Sequence, residues 1–187
     1  MKSTARRATL LDEAQVDALA DARAVRTERR DRAIVEVLYG SGIRVSELCG
    51  LDVEDLDLDC GTANVLGKGE KRRTVPLTPA AVDALRAHLT WRRSGPVFRR
   101  SGDDARLAPR LAREILARRA ARAAIPHSSP HTLRHTCASH MLRHGAYLFN
   151  VQDLLGHVHP QTTALYLHRM PVERTAGEDY RASHPRA

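Results

Sequence analysis

The sequence predicts a mainly helical (α+β) chain with one small antiparallel sheet. Three observations lead there. Apolar residues recur at helical spacing over much of the chain, as in Ala33, Ile34, Val37 and Leu38, and again in Leu133, Cys137 and Met141. Between Leu51 and Leu77 that period gives way to three short alternating runs broken by Gly61, Gly67 and Gly69, the mark of strands joined by tight turns. Finally, 187 residues, 42% of them hydrophobic and 28% charged, suffice for one buried core; with aromatics at 4%, its packing falls to Leu, Val, Ile and Ala.

Residues 1–10 read as a polar lead-in. A first helix starts after Asp12, which can cap it with Gln15 at the capping-box position and Val16, Leu19 and Ala20 turned inward. A second helix carries Ala33 to Leu38 and is expected to stop at Gly40-Ser41-Gly42, after which Arg44 opens a short third helix through Leu48. Strands are expected over residues 53–58, 62–66 and 73–77, with Lys68 in or beside the second hairpin. Thr78-Pro79 starts a helix reaching Trp91, residues 96–98 are extended, and helices resume at Ala108. Ser128-Ser129-Pro130 introduces a helix that Gly145 ends, and a further helix over residues 149–155 ends at Gly156, which sets His157 just past its C-cap. Pro160 opens the helix that carries Tyr166.

No run of 18 apolar residues occurs and no apolar signal region follows the N-terminus, so membrane insertion and secretion are not expected and the cytoplasm is the default location. Cys49, Cys60 and Cys137 are odd in number and lack Cys-x-x-Cys spacing; they read as small buried hydrophobes in a reducing compartment. The net charge is +8 and its distribution is uneven. Eleven arginines stand against three acidic residues between Arg86 and Arg122, while the rest of the chain is balanced at nineteen of each sign. A helix over residues 107–124 carrying that excess would contact the phosphates of a polyanion; the alternative is a solvated Arg-rich face. Arg106, Arg110 and Arg113, with Arg72 in the hairpin, are the candidate contacts.

Residues 130–168 gather the groups that phosphodiester chemistry needs. Cleavage without a metal requires a nucleophile, cations on the non-bridging oxygens and an acid for the departing alkoxide. Tyr166 is a nucleophile; Arg44 and Arg134 offer planar, always-charged forks for the two oxygens. Lys68 is the candidate acid: with twenty-seven Arg and only Lys2, Lys68 and Lys71, a lysine in this loop stands where an arginine could not release its proton, and Lys71 shares that argument. His131 can relay the nucleophile's proton and His157 can donate to a phosphate oxygen. A metal reading of His131 and His135, or of His140 and His144, lacks both the Glu of His-Glu-x-x-His and a third ligand, so no metal or other cofactor is expected.

Taken together, Gly42-Ile-Arg-Val-Ser-Glu-Leu48, Gly67-Lys-Gly-Glu-Lys-Arg72, Pro130-His-Thr-Leu-Arg-His135, Val151-Gln-Asp-Leu-Leu-Gly-His157 and Thr162-Thr-Ala-Leu-Tyr166 resemble the boxes of the tyrosine recombinases, the phage-integrase and Xer-like family. The resemblance covers residues 10–168 and implies a helical catalytic domain with a three-stranded antiparallel sheet, over residues 11–170, followed by a tail, 171–187. It implies that Tyr166 attacks the scissile phosphate to form a 3′-phosphotyrosyl bond, with Arg44, Arg134 and His157 on the phosphate, His131 assisting proton transfer and Lys68 protonating the leaving oxygen. The partners implied are double-stranded DNA and further recombinase protomers, alike or different, in a tetramer on that DNA. Family members carry a helical core-binding (SAM-like) domain before the first arginine box; with some forty residues preceding Arg44, it is expected to be absent, and the alternative function is a non-catalytic DNA-binding remnant of an integrase. Pro171, Gly177 and a scarcity of apolar residues argue against forming, after Tyr166, the C-terminal helix that family members dock onto a neighbouring protomer.

Overall fold

The computed structural model describes residues 10–22, 28–67, 71–125, 128–156 and 176–186. Helix α1 (Glu13–Asp21) begins where Asp12 accepts the Gln15 N–H at 2.7 Å and Gln15 accepts the Asp12 N–H at 3.0 Å, the reciprocal box that the sequence signals. Helix α2 (Glu28–Ser41) is the centre of the molecule, for every residue from Ala33 to Ser41 is buried. It runs through Gly40 and Ser41 rather than stopping at them, and Ser41 Oγ donates to the Val37 carbonyl at 2.6 Å. The chain turns at Gly42, whose φ of +62° suits glycine and whose Cβ, were there one, would stand 2.7 Å from Leu155 Cδ2.

Helix α3 (Val45–Gly50) follows, with Arg44 at its N-cap. The expected first strand is mostly a 3₁₀ turn, Val53–Asp55, because the Asp55 carboxylate captures the Asp52 N–H at 3.0 Å and competes with a ladder. Only β1 (Leu56–Asp57) pairs; it joins β2 (Thr62–Leu66) and β3 (Arg72–Pro76) in an antiparallel sheet of order β1-β2-β3. Ala63 faces Val75 and Val65 faces Arg73 across the inner pair. Helices α4 (Pro79–Leu89), α5 (Pro109–Arg122), α6 (Pro130–Arg143) and α7 (Leu148–Leu155) complete the domain. Thr78 caps α4 by accepting the Ala81 N–H at 3.1 Å, and Ser129 caps α6 by accepting that of Thr132 at 3.1 Å. Helices α1, α4 and α6 pack around α2, and the sheet leans on it through β3.

Two further expectations are corrected. The region after residue 171 includes helix α8 (Ala176–Ser183), which packs on α6 and α7 of the same chain. Its anchors are Tyr180 and His184, both buried and four residues apart, rather than the aliphatic residues whose scarcity argued against a helix. Their rings stack at 5.0 Å, His184 meets the edge of Tyr39 at 5.1 Å, and Tyr39 Oη lies 2.9 Å from His140 Nδ1. Arg186 closes this contact over the Tyr39 ring and forms ion pairs with Glu36 and Asp17. The second correction is Cys60, which is exposed in the turn after β1, its N–H donated to Asp57 Oδ1 at 2.8 Å; Cys49 and Cys137 are buried, and all three thiols are free. Among the described residues no helix is long and apolar enough to cross a membrane.

Candidate functional site

The turn at Gly42 delivers Arg44 to the start of α3, where Glu47 reaches back to it. Glu47 Oε2 accepts the Arg44 backbone N–H at 2.8 Å and Oε1 accepts Arg44 Nη1 at 3.0 Å. Arg44 Nη2 donates to the Gly156 carbonyl at 2.9 Å. Arg134, buried near the start of α6, donates from Nη1 to the Gly42 carbonyl and from Nη2 to the Leu155 carbonyl, both at 2.6 Å. Two guanidinium groups thus meet at the C-terminal end of α7, whose open carbonyls and negative dipole end attract cations. Burial first, and then the Arg44 charge, pull the Arg134 guanidinium down to about 10, which leaves it charged at neutral pH.

A third guanidinium joins them. Arg73 Nη1 and Nη2 donate to Glu47 Oε1 and Oε2 at 2.8 and 3.1 Å, a two-pronged pair on a carboxylate whose side chain is 2% exposed. Burial alone would push the Glu47 carboxyl up, but the hydrogen bonds from Arg73 and Arg44 outweigh it and hold the group below the usual carboxylate range. Glu47 and Arg73 were not singled out in the sequence. The signal for Arg73 is strand alternation: in β3 Arg72 and Thr74 are exposed while Val75 is buried, so Arg73 shares the inward face. Glu47 carries the capping-box signal, three residues past the N-cap position.

His131 is exposed on the first turn of α6, its Nε2 2.9 Å from that of His135, with the two rings edge to face. Burial, followed by the charges of His131 and Arg134, lowers the pKa of His135. The structure brings Arg44 and Arg134 together and sets His131 one helical turn from Arg134. Lys68, His157 and Tyr166 lie outside the described residues. Lys71 is exposed, and its carbonyl accepts the Gly67 N–H at 2.9 Å across the β2–β3 hairpin. No group of three or more metal-ligating side chains stands together among the described residues.

The Arg-rich segment divides into two sets. Arg119 is buried and donates from Nε to the Leu19 carbonyl at 2.8 Å and from Nη2 to that of Ala20, closing the end of α1. Arg106 likewise closes α3, donating from Nη1 to the carbonyls of Cys49, Gly50 and Leu51 at 3.1, 2.8 and 3.2 Å and pairing with Asp52 at 2.6 Å. Arg110 pairs with Glu114 at 3.0 Å on the surface of α5, and Arg72 with Asp55 at 3.3 Å. Arg113, Arg118 and Arg122 are exposed on α5 and form no ion pair among the described residues.

Residues 9–172 match the phage integrase family. The tyrosine recombinase XerC of Mycobacterium sp. (strain KMS) is 48% identical over 166 residues, covering 84% of this chain and 55% of the relative; that of Mycobacterium tuberculosis (strain ATCC 25177 / H37Ra) is 48% identical over 168 residues with the same coverage. The chain therefore spans about half the length of the curated relatives it matches. Among solved structures, XerA recombinase superposes with a TM-score of 0.74 at 30% identity, over 91% of this chain and 63% of that one. XerH recombinase bound to its difH substrate shares the fold, with a TM-score of 0.71 at 22% identity over 87% of this chain and 51% of that one. On the match across most of its length, and on the XerC relatives, this chain belongs to the phage integrase family of tyrosine recombinases.

Proposed function

We propose that this chain is the DNA-cleaving and rejoining domain of a site-specific recombinase. The observation that carries the reading is the cluster of Arg44, Arg73 and Arg134 around Glu47 at the end of α7, next in sequence to His157. Among the described residues, three guanidinium groups against one carboxylate leave two positive charges uncompensated. That charge suits a pentacoordinate phosphorane, whose negative charge grows on the non-bridging oxygens as the nucleophile enters.

In the proposed reaction the Tyr166 phenol loses its proton toward His131 and its oxygen attacks the scissile phosphorus. The bond to the 5′ oxygen breaks, Lys68 protonates that oxygen, and a 3′-phosphotyrosyl bond forms, with Arg44, Arg134 and His157 on the phosphate oxygens. The 5′-hydroxyl of a partner strand reverses the attack, so the bond energy is conserved and neither ATP nor a metal takes part. Double-stranded DNA in the cytoplasm and further protomers, alike or different, in a tetramer on that DNA are the partners this reaction needs. Arg110, Arg113, Arg118 and Arg122 on α5, with Arg72, supply backbone phosphate contacts, whereas the engagement of Arg106 with α3 favours a structural role for it.

The test is a duplex carrying the recognition site and a nick beside the scissile phosphate, so that the released fragment diffuses away. The full chain is expected to form a covalent protein–DNA adduct that disappears in Tyr166→Phe. Salt-sensitive DNA binding with no adduct would favour the non-catalytic remnant instead.

A further inference from the structure

We propose that Arg73 is a positioning residue of the cleavage site: through the Glu47 carboxylate it fixes the fork of Arg44, and its guanidinium face supports the turn at Gly156. The inference rests on the strand-cleavage reading above. Each Glu47 oxygen is shared by the two arginines. Oε1 takes Arg73 Nη1 at 2.8 Å and Arg44 Nη1 at 3.0 Å; Oε2 takes Arg73 Nη2 at 3.1 Å and the Arg44 backbone N–H at 2.8 Å. Held from Arg44 alone, this carboxylate would face one cation and keep a single hydrogen bond on each oxygen. With Arg73 bound through both prongs, its plane is fixed and so is the direction in which Arg44 presents its remaining donors.

The second contact is with the turn that precedes His157. Gly156 ends α7 with φ +63°, and a Cβ placed on it would stand 3.2 Å from Arg73 Cζ and 3.3 Å from Nε, so the flat guanidinium lies directly against the glycine. Arg73 Nε is buried and has no hydrogen-bond partner among the described residues. A buried unpaired donor is costly, so the pose of this side chain is dictated by Glu47 and Gly156 and not by its own satisfaction. One residue of β3 thereby couples the segment that carries Arg44 to the segment that leads into His157. A lysine keeps the charge but cannot span both carboxylate oxygens or stack flat on the glycine.

Single-turnover cleavage of the nicked duplex at saturating DNA separates this role from its alternatives. Arg73→Ala is expected to slow adduct formation about a hundredfold, the effect of a small misplacement of catalytic groups, while DNA affinity measured by fluorescence anisotropy changes far less. Arg73→Lys is expected to stay near the Ala variant. Arg73→Gln, which keeps length without the fork, stands in if the Ala variant does not fold. A wild-type rate for Arg73→Lys would reduce the residue to a charge and overturn the proposal; so would a loss confined to affinity, which would make Arg73 a phosphate contact. Should the unmodified chain form no adduct, the cleavage reading fails, but positioning is still decided by crystal structures of the parent and Arg73→Ala. In the variant the Glu47 carboxylate is expected to swing away from Arg44 Nη1, and an unmoved pair overturns the proposal.

Discussion

Glu47 is the residue on which the site balances, because it is the buried anion that Arg44 and Arg73 share. Its lowered pKa is a statement about stability. Ionised Glu47 stabilises the fold fully above the unfolded carboxylate pKa of about 4.3, and that contribution is lost as pH falls through the depressed folded value. Glu47→Gln leaves Arg44 and Arg73 facing each other without a counter-charge, and breaking a buried pair in this way costs about 3 kcal/mol. Denaturant melts of the two proteins are expected to differ by that amount at pH 7 and to converge at acid pH; a gap independent of pH would place the effect in packing. Arg44, Lys68, His131, Arg134, His157 and Tyr166 could be proposed from the sequence because each brings a chemistry that its box displays, and of these the structure describes Arg44, His131 and Arg134. Glu47 and Arg73 were not proposed, because they act on other side chains, and the contact between residues 26 apart exists only after the sheet has folded onto α3.

Elements, too, were read best where their cause is local. The caps at Asp12, Thr78 and Ser129, and the left-handed end of α7 at Gly156, are short-range chemistry, and the helices they bound lie where expected. The first strand and α8 were misjudged for opposite reasons. An aspartate hydrogen-bonded to backbone outcompeted strand pairing in one, and an aromatic anchor replaced an aliphatic face in the other. That anchor is sensitive to acid. Burial drives His184 down to about 4, against the favourable hydrogen bond to the Tyr39 carbonyl, while Arg186 and His140 add like charge around it. A depressed folded pKa means that the docked state carries full stability above the unfolded histidine pKa of about 6.5 and loses it as pH falls toward 4, by up to about 3 kcal/mol. Hydrogen exchange of residues 180–186 is expected to accelerate between pH 6.5 and 4, after correction for the intrinsic rate, and His184→Phe is expected to flatten that response.

At the scale of the molecule, the excess of positive charge does two jobs. Arg106 and Arg119 close the C-terminal ends of α3 and α1, and Arg113, Arg118 and Arg122 remain exposed on α5. Counterion release predicts that replacing those last three with Ala lowers the slope of log affinity against log salt by roughly 0.9 for each phosphate that is no longer neutralised. Arg106→Ala is expected to leave the slope unchanged and to lower the melting temperature; a lower slope with unchanged melting would return Arg106 to the DNA surface. The sequence by itself determined the family, the order of helices and hairpin, and the groups available for phosphodiester chemistry, because box spacing, periodicity and capping are written in neighbouring residues. The tertiary structure decided which arginines are bound to the fold and which face solvent, that the segment after residue 176 packs back on α6 and α7, and that Glu47 and Arg73 hold Arg44 in place. Those outcomes depend on burial and on partners distant in the chain, and charge alone cannot distinguish an arginine that caps a helix from one that waits for a phosphate.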